Sequence, residues 1–461
     1  METIEYGALV LIPPIFIIVF ALITRRSFLA LLLGSILTYI IMYGLDSYGP
    51  IMDLVYGVLM DEDVIWTVLI TGIFGSLIYL FQKSRGVEAL SRVISKFATN
   101  ARRSMIGAWL VGLIIFVGDM LNIMTVGVVM KKITDKYKVP REMLAYIMDS
   151  TAAPVAVLAP VSSWAAFFIA ILMAQPEVNF TSDSEVYNYL QIIPFLFYPM
   201  AAVIIVFLLS YGLLPKVGPM KKAFERAANT GKVYSDASKK YNLDEEEELP
   251  SEEQKIKPKV YNLLIPLGVL VFLAIYTGDI LMGAIFAVIT CALIYMGTRI
   301  MNLNTFASAS LQGFVSMVPM MLIIVGAFMA RDALMEIKLP EYVVANVAPL
   351  MDAALVPAIT FLTVAILAFV TSSSWGIPAV VVPIMVPLAA SLGAPMLPTL
   401  AAIVSGASFG SHACFYSDAT VITSAIAKIE NTEHAFSQFP YALLGAGVAT
   451  IGFLIAGFVM V

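Results

Sequence analysis

The sequence predicts an all-α polytopic membrane protein of two inverted-topology repeats, each with a re-entrant hairpin and a discontinuous helix, about ten spans and two hairpins in all. Three observations predict it. Of 461 residues, 60% are hydrophobic and only 13% charged, where a soluble chain carries about 25%. Apolar runs of roughly 18 or more residues recur, each long enough to cross a ~30 Å hydrocarbon core. Finally, the second half restates the first. A shift of 253 positions aligns Leu11-Ile12-Pro13 with Leu264-Ile265-Pro266, Thr24 with Thr277, Gly44 with Gly297, Glu88 with Glu341 and Phe116-Val117 with Phe369-Val370. A shift of 256 then aligns Leu144-Ala145 with Leu400-Ala401 and Ile147 with Ile403. Single identities between apolar segments are common by chance, but a near-constant shift over this length is not.

Taken in order, spans fall at about 7–24 and 27–44, with Arg25 and Arg26 between them. An acidic loop follows, holding Asp46, Asp53, Asp61, Glu62 and Asp63, and then a span at about 64–81. The basic segment with Lys83, Arg85, Arg92, Lys96, Arg102 and Arg103 is cytoplasmic by the positive-inside rule, so the N-terminus starts outside. Residues 104–130 are apolar but have basic clusters on both sides, the second being Lys131, Lys132, Lys136, Lys138 and Arg141. One crossing would put a basic cluster outside; a hairpin turning near Gly118-Asp119 keeps both inside. A discontinuous span at about 143–173 leads to an acidic outer loop with Glu177, Asp183 and Glu185, and a span at about 192–214 returns.

Residues 215–259 hold 19 of the 59 Lys, Arg, Asp and Glu residues, including Glu245 to Glu248. They read as a charged, partly disordered cytoplasmic linker between a first repeat, 1–214, and a second, 260–461. Five crossings in the first half force the second to insert upside down. Its hairpin is expected at about 355–391 with a polar tip at Thr371 to Gly376, and its discontinuous span at about 398–428. METIEY has no basic region before its apolar run, so it begins a first span rather than a cleaved signal. Cys291 and Cys414 suggest neither a disulfide framework nor a metal site.

The polar residues inside these apolar stretches carry the functional signal, because carboxylates and hydroxyls at membrane depth are costly. Asp149 stands out in AYIMDSTAAPV: Pro154 disfavours helix at Ala153 and frees a carbonyl nearby. Ser150, Thr151, Ser162 and Ser163 add neutral oxygens that could coordinate a small cation. The plainer alternative makes Asp149 a helix cap. Asp119, at the hairpin tip after Gly118, is the next candidate, against a turn-capping role. In the second half, Ser405, Ser408, His412, Ser417, Asp418 and Thr420 cluster. Asp418 needs a partner there, and His412 could supply one. Ser372, Ser373 and Ser374 could hold a polar or anionic substrate group at a half-helix N-terminus. Trp164 and Trp375 read as packing or gating residues, and His434 as part of a short loop.

At these residues the sequence resembles the NhaC family of Na+/H+ antiporters. The resemblance rests on TDKYKVPREMLAYIMDSTAAPVAVLAPVSSWAAF (134–167), TSSSWGIPAVVVPI (371–384), SGASFGSHACFYSDAT (405–420) and HAFSQFPYAL (434–443), and covers nearly the whole chain. It implies two inverted repeats with broken helices and exchange of Na+ for H+; some relatives move carboxylates or amino acids instead. The family's last motif reads close to G-D-H-C-S-P-x-S-D. Here Ser411 stands at the acidic position and Phe415-Tyr416 at the Ser-Pro pair.

The expected function is therefore secondary active Na+/H+ exchange by alternating access in a prokaryotic inner membrane, not catalysis. Na+- or H+-coupled movement of an amino acid or carboxylate is the alternative. Asp149, Asp119, Asp418, Ser150, Thr151, Ser162, Ser163, His412 and Ser417 are expected to handle ions or protons, with Asp149 and Asp418 as Na+ ligands. Asn122, Ser372, Ser373, Ser374, Ser408, Phe415 and Tyr416 are expected to face a substrate. Na+, H+ and the bilayer are the expected partners, an organic solute the alternative one; a homodimer is compatible, and neither an organic cofactor nor nucleic acid is expected. Two histidines leave little for an enzyme's metal cluster, and no Walker-type motif supports ATP coupling.

Overall fold

In the computed structural model, every regular element among the described residues is a helix. The structure describes the chain apart from residues 1–5, 25, 87–88, 91–92, 94–95, 179, 181, 183, 243–258 and 348–350. Arg25, Glu88, Arg92, Asp183 and Glu245 to Glu248, used above to place loops and repeats, thus lie outside the described residues.

The first half runs α1 (Ile12–Thr24), α2 (Ser27–Tyr43), α3 (Tyr48–Met60), α4 (Glu62–Lys83), α5 (Ala101–Ile114), α6 (Asp119–Lys136), α7 (Arg141–Thr151), α8 (Ala153–Leu158), α9 (Ser163–Met173), α10 (Glu185–Ile192) and α11 (Phe197–Tyr211). After α12 (Gly218–Thr230), the second half runs α13 (Tyr261–Thr277), α14 (Ile280–Gly297), α15 (Leu303–Ser316), α16 (Val318–Glu336), α17 (Leu339–Val347), α18 (Val356–Thr371), α19 (Gly376–Leu392), α20 (Met396–Ala413), α21 (Asp418–Ala427) and α22 (Asn431–Met460). Moved by 253, α2 becomes 280–296 and falls on α14, so the shift read from identities also relates helix boundaries.

Six helices among the described residues are long and apolar enough to cross a membrane, or eight if each of two bent pairs is one crossing. Shorter apolar helices, among them Tyr48–Met60 and Gly376–Leu392, accompany them. This is a multi-pass membrane protein.

Two local expectations change. Residues 48–60, expected within an acidic loop, form α3 because Ile51, Leu54, Val55 and Val58 recur at helical spacing and turn inward. The span expected at 192–214 is instead a pair, Glu185–Phe195 and Phe197–Tyr211, bent by 61°. Pro194 sits in the short 3-10 turn between them, where its missing N–H and its ring oppose a continuous helix.

Breaks occur within the stretches expected at about 143–173 and 398–428. Residues Arg141–Leu158 and Ser163–Met173 meet at 45°. Ala152, at φ −81 and ψ −98, separates α7 from α8, with Pro154 in the first turn of α8. α20 and α21 part at residues 414–417. Hairpin-like breaks at 115–118 and 372–375 separate α5 from α6 and α18 from α19.

The halves are interlocked rather than side by side. A Cβ on Gly75 of α4 would lie 2.3 Å from the Gly313 carbonyl oxygen of α15, and one on Gly313 would lie 2.3 Å from that of Gly75. Backbones this close need glycine on both sides, the usual route to tight helix contact where lipid offers no hydrophobic drive. At the centre, every residue of α7 is buried.

Part of the linker is folded. On α12, Met220, Ala223 and Ala227 turn inward along one face, and residues Ala237–Asn242 form a 3-10 turn.

Candidate functional site

The site is built where α7, the first half's central helix, meets α21 and α22 of the second. Asp149 stands in the last turn of α7 and is 1% exposed. Its Oδ2 accepts three hydrogen bonds, all from the other half: Thr420 Oγ1 at 3.1 Å, His434 Nε2 at 3.0 Å and Gln438 Nε2 at 2.9 Å. Its other oxygen, Oδ1, is buried with no hydrogen-bond partner among the described residues. A buried carboxylate oxygen without any partner costs about 1–3 kcal/mol, so Oδ1 is the position where a proton, a water or a cation would be taken up.

Each donor is itself held. Ser417 caps α21, accepting from Thr420 N at 3.1 Å and donating to the Ser411 carbonyl at 2.6 Å. Its hydroxyl also lies 2.9 Å from Thr420 Oγ1, so the cap that starts α21 also orients the threonine on Asp149. Gln438 spends its amide hydrogens on Asp149 and on the His412 carbonyl, at 2.6 Å, in the last turn of α20. Its Oε1, like Thr423 Oγ1, is buried without a partner among the described residues.

A second cluster lies one residue along. His412 Nε2 is 2.9 Å from Ser150 Oγ, and its Nδ1 is 2.7 Å from the Tyr198 hydroxyl on α11. A neutral imidazole donates from one nitrogen and accepts at the other, and each hydroxyl can serve either role. The structure thus brings Asp149, Ser150 and His412 close together; His412, expected to partner Asp418, pairs with Ser150 and Tyr198.

The remaining expected residues take varied positions. Asp119 is buried at the start of α6 and accepts from Met120 N at 2.9 Å. Asp418, expected to be a Na+ ligand within the membrane, is exposed at the start of α21 and accepts from Ala419 N at 3.0 Å. Helix starts favour a carboxylate there, and Asp418 shares no bond with Asp149. Thr151 donates to its own helix at the Ile147 carbonyl, 2.8 Å. Ser162 caps α9 and bonds the Ala156 carbonyl at 2.5 Å, closing the break. The Ser163 amide donates to the Val117 carbonyl at 3.0 Å, joining α9 to the first hairpin tip.

Asn122, expected to meet a substrate, is a fastener instead. Its Nδ2 lies 2.6, 2.9 and 2.7 Å from the carbonyls of Gly112, Ile115 and Thr151, which the ends of α5 and α7 leave free. In the second tip Ser372 adopts the left-handed region at φ 50, Ser373 Oγ accepts from Gly376 N at 3.1 Å, and Ser374 is buried. Ser408 is buried with its hydroxyl unpaired among the described residues. Phe415 packs into an aromatic cluster with Phe369, Phe436 and Phe439, while Tyr416 is 61% exposed. Trp164 and Trp375 pack together, 4.3 Å between centroids, joining the starts of α9 and α19.

Sequence reasoning missed His434, Gln438 and Tyr198. His434 is not in a loop: it is fully buried in α22. The signal was the i,i+4 spacing of His434 and Gln438, which puts two polar side chains on one face of an apolar helix. No group of three His, Cys, Asp or Glu side chains able to hold a metal occurs among the described residues. Cargo Na+ would instead have to use single oxygens of Asp149, hydroxyls and an amide.

A buried carboxyl group held between interlocked halves and flanked by broken helices is an arrangement suited to a membrane transport protein. Solved structures share this fold. A YdaH transporter of Alcanivorax borkumensis, described as having an unusual topology, aligns at a TM-score of 0.61 over 90% of this chain and 90% of its own, with 10% identity. MtrF of Neisseria gonorrhoeae, described among a class of antimetabolite efflux pumps, aligns at 0.59 over 91% of this chain and 86% of its own, with 14% identity. The chain belongs to the Na+/H+ antiporter family, whose profile matches residues 155–458. A Haemophilus influenzae protein described as uncharacterized is 25% identical across 99% of this chain and 93% of its own length.

Proposed function

We propose that this protein is a secondary active transporter of the NhaC type that exchanges Na+ for H+ by alternating access across a prokaryotic inner membrane. The observation that carries this reading is Asp149: one oxygen takes three donors from the second half, and the other is buried without a partner among the described residues. A proton on Oδ1 and a Na+ at Oδ1 exclude one another, which is what an antiporter requires of its coupling site. Because all three donors come from the other half, filling or emptying that oxygen also changes how tightly the halves hold together. That makes Asp149 the group through which ion binding drives the conformational cycle.

A second reading, ion-coupled movement of an amino acid or carboxylate, draws on Ser411. It is buried where the resemblance expects an acid, and its carbonyl is taken by Ser417. One charge fewer in the core weakens the case for a pure cation exchanger, and MtrF is described as an efflux pump for antimetabolites.

The test is purified protein in proteoliposomes with a trapped pH dye, pulsed with Na+ and then with a panel of amino acids and carboxylates. Proton movement on Na+ alone supports antiport. Silence with Na+ alone, together with ion-dependent uptake of one organic solute, replaces it with the second reading.

A further inference from the structure

Residues 215–242, read from sequence as linker, cross the end of the molecule where α7 begins and touch both halves. At its start, Tyr441 of α22 accepts from Val217 N at 2.9 Å and donates to the Pro215 carbonyl at 3.2 Å. In the middle, the Arg226 guanidinium holds Glu142 of α7 through both nitrogens, at 2.8 and 2.9 Å. The Arg141 amide donates to the Val233 carbonyl at 2.9 Å. At the far end, Ser238 donates to Glu433 at 2.6 Å and accepts from Glu430 N at 2.9 Å, and Asn242 donates to the Lys428 carbonyl at 3.0 Å. Lys240 pairs with Glu430 at 2.5 Å.

The two holds differ in kind. Glu142 is 3% exposed and its bond to Arg226 is two-pronged and charge-assisted; breaking it strands a buried carboxylate. The far hold is a hydroxyl, an amide and an ion pair whose lysine is 60% exposed, and exposed pairs contribute little. If either hold yields, it is the far one. Under the strap, Tyr234 packs on a small cluster of Ala145, Ala427 and Ile429. Ala145 is four residues before Asp149 on the same face of α7, and Glu433 directly precedes His434. Tyr234 therefore covers the face of α7 one turn before Asp149.

We propose that residues 215–242 are a moving strap, closed in this structure, that stays on α7 and releases the Lys428–Glu433 turn each time the Asp149 pocket opens toward this end. The need for opening rests on the transport reading above; the closure itself does not. Two experiments on the full-length protein separate these. Ser238→Cys with Glu433→Cys places two thiols on either side of this contact, close enough for a short, reducible bifunctional thiol reagent to join. Cross-linking is expected to lower transport of whatever solute the wild type moves by about tenfold or more, with recovery on reduction. A cross-linked protein that transports as fast as its reduced form overturns the proposal and makes the strap a permanent clamp. The second experiment needs no transport. Ala145→Cys is labelled with a water-soluble maleimide, with and without Ser238→Ala and Lys240→Ala, which spare Asn242 because its side chain also accepts from Arg141 of α7. Weakening only the far hold is expected to speed labelling by about fivefold or more, whereas unchanged labelling overturns the proposal. Absence of transport in the wild type, with faster labelling in the weakened strap, would sink the transport reading and leave the strap standing.

Discussion

The breaks on either side of Asp149, one in its own helix and one between α20 and α21, use one backbone device for different ends. The first break, between Thr151 and Ser162, is closed from within its own half. Asn122 takes the carbonyls left at the ends of α5 and α7, and Ser162 caps α9 while bonding the Ala156 carbonyl. The second break, at residues 414–417, is closed in the same way by Ser417 on the Ser411 carbonyl, but the helices on either side of it also reach the other half. Ser417 starts α21 and aims Thr420 at Asp149, and Gln438 ties the Asp149 carboxylate to the His412 carbonyl. The offset of 256 places Ser405 where the first half has Asp149, and the Ser405 hydroxyl is buried without a partner among the described residues. The two breaks are thus alike in backbone and different in chemistry: one half carries the carboxyl group and the other carries its donors. A site divided in this way senses the relative position of the two halves, which a site within one half could not do.

Three substitutions test that division. Asp149→Asn should have the largest effect, taking ion-coupled transport to background while the protein still folds, because the amide keeps the shape but loses the charge. Proteoliposome flux set beside gel filtration and melting would show both, and normal transport would remove Asp149 from the mechanism. Asn122→Leu should act on stability. It strips donors from up to three buried carbonyls at about 1–3 kcal/mol each, so a clear fall in Tm is expected with or without a change in mechanism. If Asn122→Leu leaves Tm unchanged and alters only substrate affinity, the fastener role assigned here is wrong. The smallest effect should come from Thr420→Val, which removes one of three donors to Asp149 and costs about 0.5–1.5 kcal/mol. It should slow transport by about tenfold or less, with Tm nearly unchanged. A loss as severe as that of Asp149→Asn would mean that Thr420 itself binds the transported ion.

Much of the architecture could be read from the chain because membranes impose a periodicity in composition that few alternatives share. Apolar length marked α1, α2 and α4, and Pro154 and Pro160 wrote the first break into the sequence. The internal shift located the second break, where residues 414–417 contain no proline. Charge was a poorer guide. It turned α3 into a loop, because the acidic residues hid the inward-facing row of Ile51, Leu54, Val55 and Val58. It also made a free linker of residues that Arg226 and Ser238 fasten to the core.

By itself, then, the sequence determined that the chain lives in a membrane, repeats, breaks its helices and buries Asp149. Each of these follows from local composition or from the chain compared with itself. Only the tertiary structure decided what Asp149 meets. His434 and Gln438 come from nearly three hundred residues away, and Tyr198 reaches His412 from a third helix. Hydrogen bonds between such distant side chains depend on how helices cross, and no local pattern of residues encodes that crossing. The same reason exposes Asp418 and turns Asn122 toward the backbone. A polar residue in an apolar run signals that something must satisfy it, and packing alone selects whether that partner is a carbonyl, a side chain in the other half or an ion.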